Sequence, residues 1–149
     1  MKQRAPSKLL LPPISSAAPG TLYRQVVDAV KREVAEGRLR PGAALPSFRA
    51  LAEDLLVSVI TVKRAYEELE REGVIYRKQG LGTFVAEQGA SAARFAQRQR
   101  AEERFREAIR ECAGAGMTGA EIAALFYEET GEHLAEPHEA LEARSGARW

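Results

Sequence analysis

Cysteine occurs once, at Cys112, so no disulfide can close within the chain, and a reducing compartment, the cytoplasm, is the expected setting. Histidine is nearly as scarce. His133 and His138 lie together towards the C-terminal end, Cys112 has no histidine nearby in sequence, and no metal-ligand spacing or phosphate-binding Gly-Lys motif appears. Those absences argue against an enzyme and leave no cofactor or metal to expect. No apolar run approaches the roughly 18 residues of a membrane span, so no membrane association is expected. Leu9-Leu10-Leu11 follows Lys2, Arg4 and Lys8 but stops at Pro12-Pro13, too short for a secretory signal. Acidic residues are missing from positions 1–20, which hold four of the seven prolines and no apolar periodicity. Such a segment cannot offset its ordering entropy by burial, and 1–20 is expected to be a disordered N-terminal arm.

What remains is enough for one modest domain and a smaller element: 149 residues, 45% hydrophobic, with a net charge of only +1. That charge is unevenly spread. Positions 1–86 are net basic and positions 87–149 net acidic, as suits a head that meets a polyanion and a rear part that stays off it.

Helical spacing of Leu22, Val26, Val27, Val30 and Val34 after the capping-type Thr21, with Gly37 as a stop, predicts a first helix. Ser47 can cap a short second helix with Leu51, Ala52 and Leu55 inward. Beyond the turn at Leu56-Val57, Ser58 can cap a third, whose stripe is Val62, Ala65, Tyr66 and Leu69 and which Gly73 ends. Val74–Arg77 and Thr83–Ala86 are rich in β-branched and aromatic residues and flank Gly80 and Gly82, as two strands of a hairpin do. Gly89-Ala90-Ser91 reads as a boundary, followed by a long helix ending at Gly114-Ala115-Gly116 and a last one opened by a Thr118/Glu121 capping box and closed by Gly131. The fold class is therefore mainly α with a small β-hairpin. A winged helix-turn-helix DNA-binding domain, 21–88, is followed by a short two-helix C-terminal dimerisation region, 89–131, and a tail, 132–149.

A tight two-helix corner places the second of its helices in a major groove, while a hairpin reaches flanking backbone or minor groove. At the start of the third helix, free backbone amides with Ser58, Thr61 and Lys63 can take phosphates or base edges. Val59 and Ile60 are apolar and β-branched, and exposure on a first turn wastes hydration unless something such as thymine methyl groups covers them. Ser47, Arg49 and Arg64 add polar and cationic groups, and Arg77, Lys78, Gln79, Gly80, Gly82 and Thr83 supply the wing's approach to the backbone. The two C-terminal helices are too few to bury their own apolar faces. Phe95, Phe105, Ile109, Ile122, Leu125 and Phe126 are the expected seam with a second copy.

Residues 21–86 resemble the DNA-binding domain of the GntR family of bacterial transcription regulators. The resemblance rests on Leu45-Pro46-Ser47, Arg49, Leu51-Ala52, Val57-Ser58, Thr61-Val62, Ala65-Tyr66, Leu69, Glu72-Gly73, Gly80 and Gly82-Thr83-Phe84-Val85. It implies operator contacts from Arg49, the start of the third helix, Lys63 and the wing glycine. Many members carry an arginine where this chain has Val59, which implies a different operator core. Ser58 and Ile60-Thr61, with two short helices to follow, look like the YtrA-like subfamily. That likeness implies dimerisation through residues 91 to about 131 and control of genes for transporters or envelope stress.

The expectation is thus a homodimeric, sequence-specific regulator, a repressor, on an inverted-repeat operator in double-stranded DNA. Two other uses fit parts of the sequence. A winged helix can serve as a protein-interaction module. A sensor could use either a small effector among Phe95, Phe105, Ile109, Phe126 and Tyr127 or a metal at His133, Glu136 and His138.

Overall fold

The computed structural model describes residues 9–131. The basic positions Lys2, Arg4 and Lys8, the tail from 132 and its His133, Glu136 and His138 lie outside the described residues. The chain forms α1 (Leu22–Ala35), α2 (Phe48–Leu55), α3 (Val59–Arg71), β1 (Ile75–Lys78), β2 (Gly82–Val85), α4 (Gly89–Gly114) and α5 (Gly119–Thr130). It divides into two compact units, one up to Ala101 and one from Glu102, with α4 contributing to both.

In the first unit α1 and α2 both pack on α3. The periodic apolar positions are the ones that go inside: Val26, Val27, Val30 and Val34 from α1, Leu51 and Leu55 from α2, and Val62, Ala65, Tyr66 and Leu69 from α3. Ser47 and Ser58 cap as expected, accepting from the amides of Ala50 and Thr61 at 3.1 Å each. Thr21 stands at the start of α1 but makes no side-chain cap. Between α2 and α3 the corner turns at Leu56, which adopts φ 55 while its side chain is 92% exposed.

The wing strands pair antiparallel, Ile75 with Val85 through Lys78 with Gly82. The loop before α2 joins them. Leu45 donates to the Thr83 carbonyl at 2.8 Å, Gly42 to Val85 at 2.8 Å, and Val85 back to Ala43 at 2.9 Å. This third edge fastens the wing to the entry of α2.

Three features depart from the sequence reading. Residues 9–20, expected to lack order, pack on the first unit: Leu9 is buried in the core cluster, with Leu11 and Ile14 against it. Gln25 clips the strap, accepting from the Ser15 amide at 3.1 Å and donating to the carbonyls of Ser15 and Gly20 at 2.8 and 3.2 Å. The leucines were too few for a periodicity but enough to fill an edge of the core. Second, α4 starts at the expected boundary itself, and Ala93 is buried with the first unit. A β-carbon on Gly89 would meet the Val74 carbonyl at 2.7 Å, so this glycine permits helix and strand to approach rather than marking a linker. Third, Lys31 of α1 is 1% exposed, with its Nζ 2.5 Å from Oε2 of Glu72 at the end of α3. The contact is an ion pair without hydrogen-bond alignment, and that buried oxygen has no hydrogen-bond partner.

The second unit is different. From Glu102 to Gly131 no described residue is buried. Phe105 and Phe126 meet at a tilt of 58° with 5.9 Å between centroids, and Phe126 meets Tyr127 at 5.7 Å. The capping box on α5 is complete, with Thr118 Oγ1 accepting from the Glu121 amide and the Glu121 carboxylate accepting from the Thr118 amide at 2.7 Å. Gly131 ends α5 with φ 64.

Candidate nucleic-acid interface

The corner between α2 and α3 leaves the start of α3 uncovered. Val59 is 42% and Ile60 78% exposed, and both lie outside the buried stripe of α3. Their amides precede the first intrahelical hydrogen bond, which leaves the partial positive charge of the helix terminus facing outward. Ser58 and Thr61 share a 2.7 Å hydroxyl contact, so this pair is held in one geometry and Thr61 is half-buried. Lys63, one position beyond the buried Val62, is exposed.

The α2 side adds Ser47 and Arg49, both exposed. Phe48 between them turns inward and meets Tyr66 edge-on at 5.2 Å. The Tyr66 hydroxyl, deep in the core, donates to the Pro46 carbonyl at 2.8 Å, and burial pushes that phenol well above its ordinary pKa. This bond fixes the Leu45-Pro46-Ser47 entry, and through it the cap of α2. Tyr66 thus positions the site without touching its surface.

On the wing, Lys78, Gln79 and Gly80 are exposed at the turn, where Gly80 has φ 74 and Gly82 φ 121. Leu81 at the tip is 55% exposed. Arg77 reaches back, its guanidinium 5.3 Å from the centre of the Phe48 ring and 3.6 Å from Glu70. Between wing and α2 entry lies a groove of about 410 Å³, bounded by residues 45–48, 77–80 and 82–83. Seven of the expected contact residues line it: Ser47, Arg77, Lys78, Gln79, Gly80, Gly82 and Thr83.

Arg64 is engaged elsewhere. Its guanidinium lies 3.9 Å from the centre of the Tyr23 ring, which Arg24 also approaches at 5.4 Å. Arg24 in turn pairs with Glu68 at 3.7 Å. The sequence reading missed Tyr23, because nothing in the spacing of α1 shows that it faces α3. It also missed Phe48, whose place directly after the Ser47 cap was the available signal.

The expected seam residues are open in the structure. Phe95 is 67%, Phe105 51% and Leu125 43% exposed, and Ile109, Ile122 and Phe126 are half-buried. Among the described residues no cluster of His, Cys, Asp or Glu is arranged to hold a metal, and no helix is long and apolar enough to cross a membrane.

The family model described as bacterial regulatory proteins, gntR family, matches residues 22–85, the span from α1 to the end of the wing. A solved transcriptional regulator from Oenococcus oeni is 31% identical, with a TM-score of 0.57 over 78% of this chain and 99% of that one. The chain belongs to the GntR family. The chain is also similar to a solved transcriptional antiterminator from Listeria monocytogenes EGD-e, 31% identical with a TM-score of 0.58, covering 81% of this chain and 90% of that chain. The HTH-type transcriptional repressor YtrA of Bacillus subtilis (strain 168) is 41% identical over 66 residues, or 44% of this chain. This chain spans about half of YtrA's length, 51%. The alignment supports a YtrA-like member of the family, one of regulatory proteins rather than enzymes.

Proposed function

We propose that this chain is a sequence-specific DNA-binding transcriptional regulator, a repressor, that acts as a homodimer on an inverted-repeat operator. The observation that carries the reading is the uncovered first turn of α3. Ile60 is largely and Val59 partly exposed on a helix whose other apolar residues are fully buried, beside the exposed cations Lys63 and Arg49. Apolar groups flanked by cations at an amide-rich helix start suit a duplex, which offers thymine methyls and phosphates at that spacing.

Arg49 and Lys63 supply phosphate and base contacts, Ile60 meets a base edge, and the wing glycines let the hairpin lie close to the backbone. Two copies joined through the open apolar faces of α4 and α5 present two recognition helices about one helical turn apart. The repressor role follows the printed role of YtrA, and the setting is the cytoplasm, where such regulators meet DNA.

The test is selection of random double-stranded DNA at about 150 mM salt, near-physiological screening, with the purified protein and with Arg49→Ala. A palindromic motif retained by the first and lost by the second is the expected result, and no enrichment in either pool would sink the reading. Ile60→Ala changes preference at one base pair by about 1–3 kcal/mol while leaving folding within about 0.5 kcal/mol, since the side chain is already in solvent. An unaltered motif would remove Ile60 from the readout.

A further inference from the structure

The groove between the wing and the entry of α2 has a composition that a phosphate backbone alone does not explain. Leu45, Pro46 and Phe48 contribute apolar groups to its lining, Arg77 and Lys78 contribute cations, with Arg77 held 5.3 Å from the centre of the Phe48 ring, and no carboxylate lines it. Arg77 is partly committed to Glu70 and to the face of Phe48, so Lys78, at the end of β1, is the cation free to meet a ligand. A volume of about 410 Å³ lies within the range of small-molecule sites, roughly 300–1,000 Å³.

The groove is also built in advance. Its two sides are tied by the hydrogen bond from Leu45 to Thr83, and the Pro46 carbonyl is anchored by Tyr66. Little ordering cost remains for a ligand to meet. Gly80 and Gly82 line the wing side of the groove.

We propose that this groove is a small-molecule site for a compact apolar anion, such as an aromatic carboxylate, whose ring lies against the apolar Leu45–Phe48 segment and whose charge meets Lys78. Several of the same residues are those assigned to DNA, so ligand and operator exclude one another. Regulation would then act within the DNA-binding unit itself, without relay from another part of the chain. The exclusion rests on the DNA-binding reading above; the ligand site does not. When the ligand's concentration equals its own dissociation constant, the apparent dissociation constant for DNA doubles, and it rises in proportion thereafter.

The test titrates 2-naphthoate into the isotopically labelled full chain and follows amide shifts, with 2-naphthamide as the uncharged counterpart. Saturable shifts confined to residues 45–48 and 77–83 are expected, at least tenfold weaker for the amide and for Lys78→Glu. A spectrum of Lys78→Glu that matches the parent away from the groove shows that the variant is folded. Shifts centred on α4 and α5, equal affinity for acid and amide, or no saturation would overturn the site. A second titration in the presence of operator separates the two layers. Groove binding that leaves bound DNA in place overturns the exclusion and counts against the DNA assignment of Lys78, while failure to bind naphthoate with operator binding intact overturns the ligand site alone.

Discussion

The unit up to Ala101 and the unit from Glu102 are both helical, yet they are held by different means. In the first, each apolar stripe finds a partner and the core closes around Tyr66, Leu51 and the valines of α1. In the second, helices are written by local signals: the Thr118–Glu121 box, the Gly131 stop, and the pairs Arg106–Glu102, Arg106–Glu103 and Arg110–Glu103 on α4. Such pairs add only about 0.2–0.5 kcal/mol each, and short helices without a packed face are marginal in water. Capping and pairing decide where a helix lies; burial decides whether it persists. Phe105 and Leu125 stay about half exposed in this unit, which is the physical argument behind the proposed second copy.

The contrast can be broken most severely from the first unit. Glu72→Ala leaves the Lys31 ammonium buried without its counter-charge, and the loss should be about 3–5 kcal/mol. Chemical unfolding followed by the near-ultraviolet signal measures it. Replacing both partners, Lys31→Met with Glu72→Leu, should recover most of the loss, because well-packed apolar groups can stand in for a buried pair. If Glu72→Ala costs under about 1 kcal/mol, the pair is not a structural element of the core.

A smaller effect is expected on the other side. Phe126→Ala removes the ring between Phe105 and Tyr127 and, if a second copy covers this face, should weaken self-association by about 2 kcal/mol or more, a factor of roughly 30. Sedimentation equilibrium reads this directly. The unfolding of the first unit should be unchanged, and a monomeric parent protein would refute the dimer.

The smallest effect sharpens the contrast by pH. The backbone and side-chain hydrogen bonds of Thr118 hold the Glu121 carboxyl below its ordinary value of 4.5. A carboxyl depressed on folding contributes stability above its unfolded pKa and loses it as pH falls through the folded one. Helicity of α5 should therefore decline below about pH 4.5 in the parent, and Glu121→Gln should flatten that part of the profile. Indistinguishable acid profiles would mean that the capping box does not hold α5 in solution.

Sequence alone carried the helices and the wing because their causes are local. Ser47, Ser58 and Thr118 announce helix starts within three residues of the amides they cap, and the glycines of the wing sit between β-branched runs. The long-range contacts were not legible. Nothing near Lys31 shows that Glu72 waits for it across the core, nothing near Arg64 points to Tyr23, and Gln25 gives no sign of clipping Ser15. Leu9, Leu11 and Ile14 sit among prolines in a segment with no period, and only the core they border reveals their use. At the interface, Val59 and Ile60 were readable as surplus to the buried stripe, whereas the groove needed the folded wing before Phe48 and Lys78 came together.

Leu56 is, among the described residues, the one non-glycine with a left-handed backbone, and its side chain lies almost wholly in solvent. A left-handed leucine costs on the order of 1–2 kcal/mol, with no burial in return. The domain therefore carries a correctable defect at its sharpest corner. For sequence drift this is a reserve: a change to glycine or asparagine there would offset one damaging substitution elsewhere, so the corner sets how much mutational load the rest of the domain can accumulate before it melts.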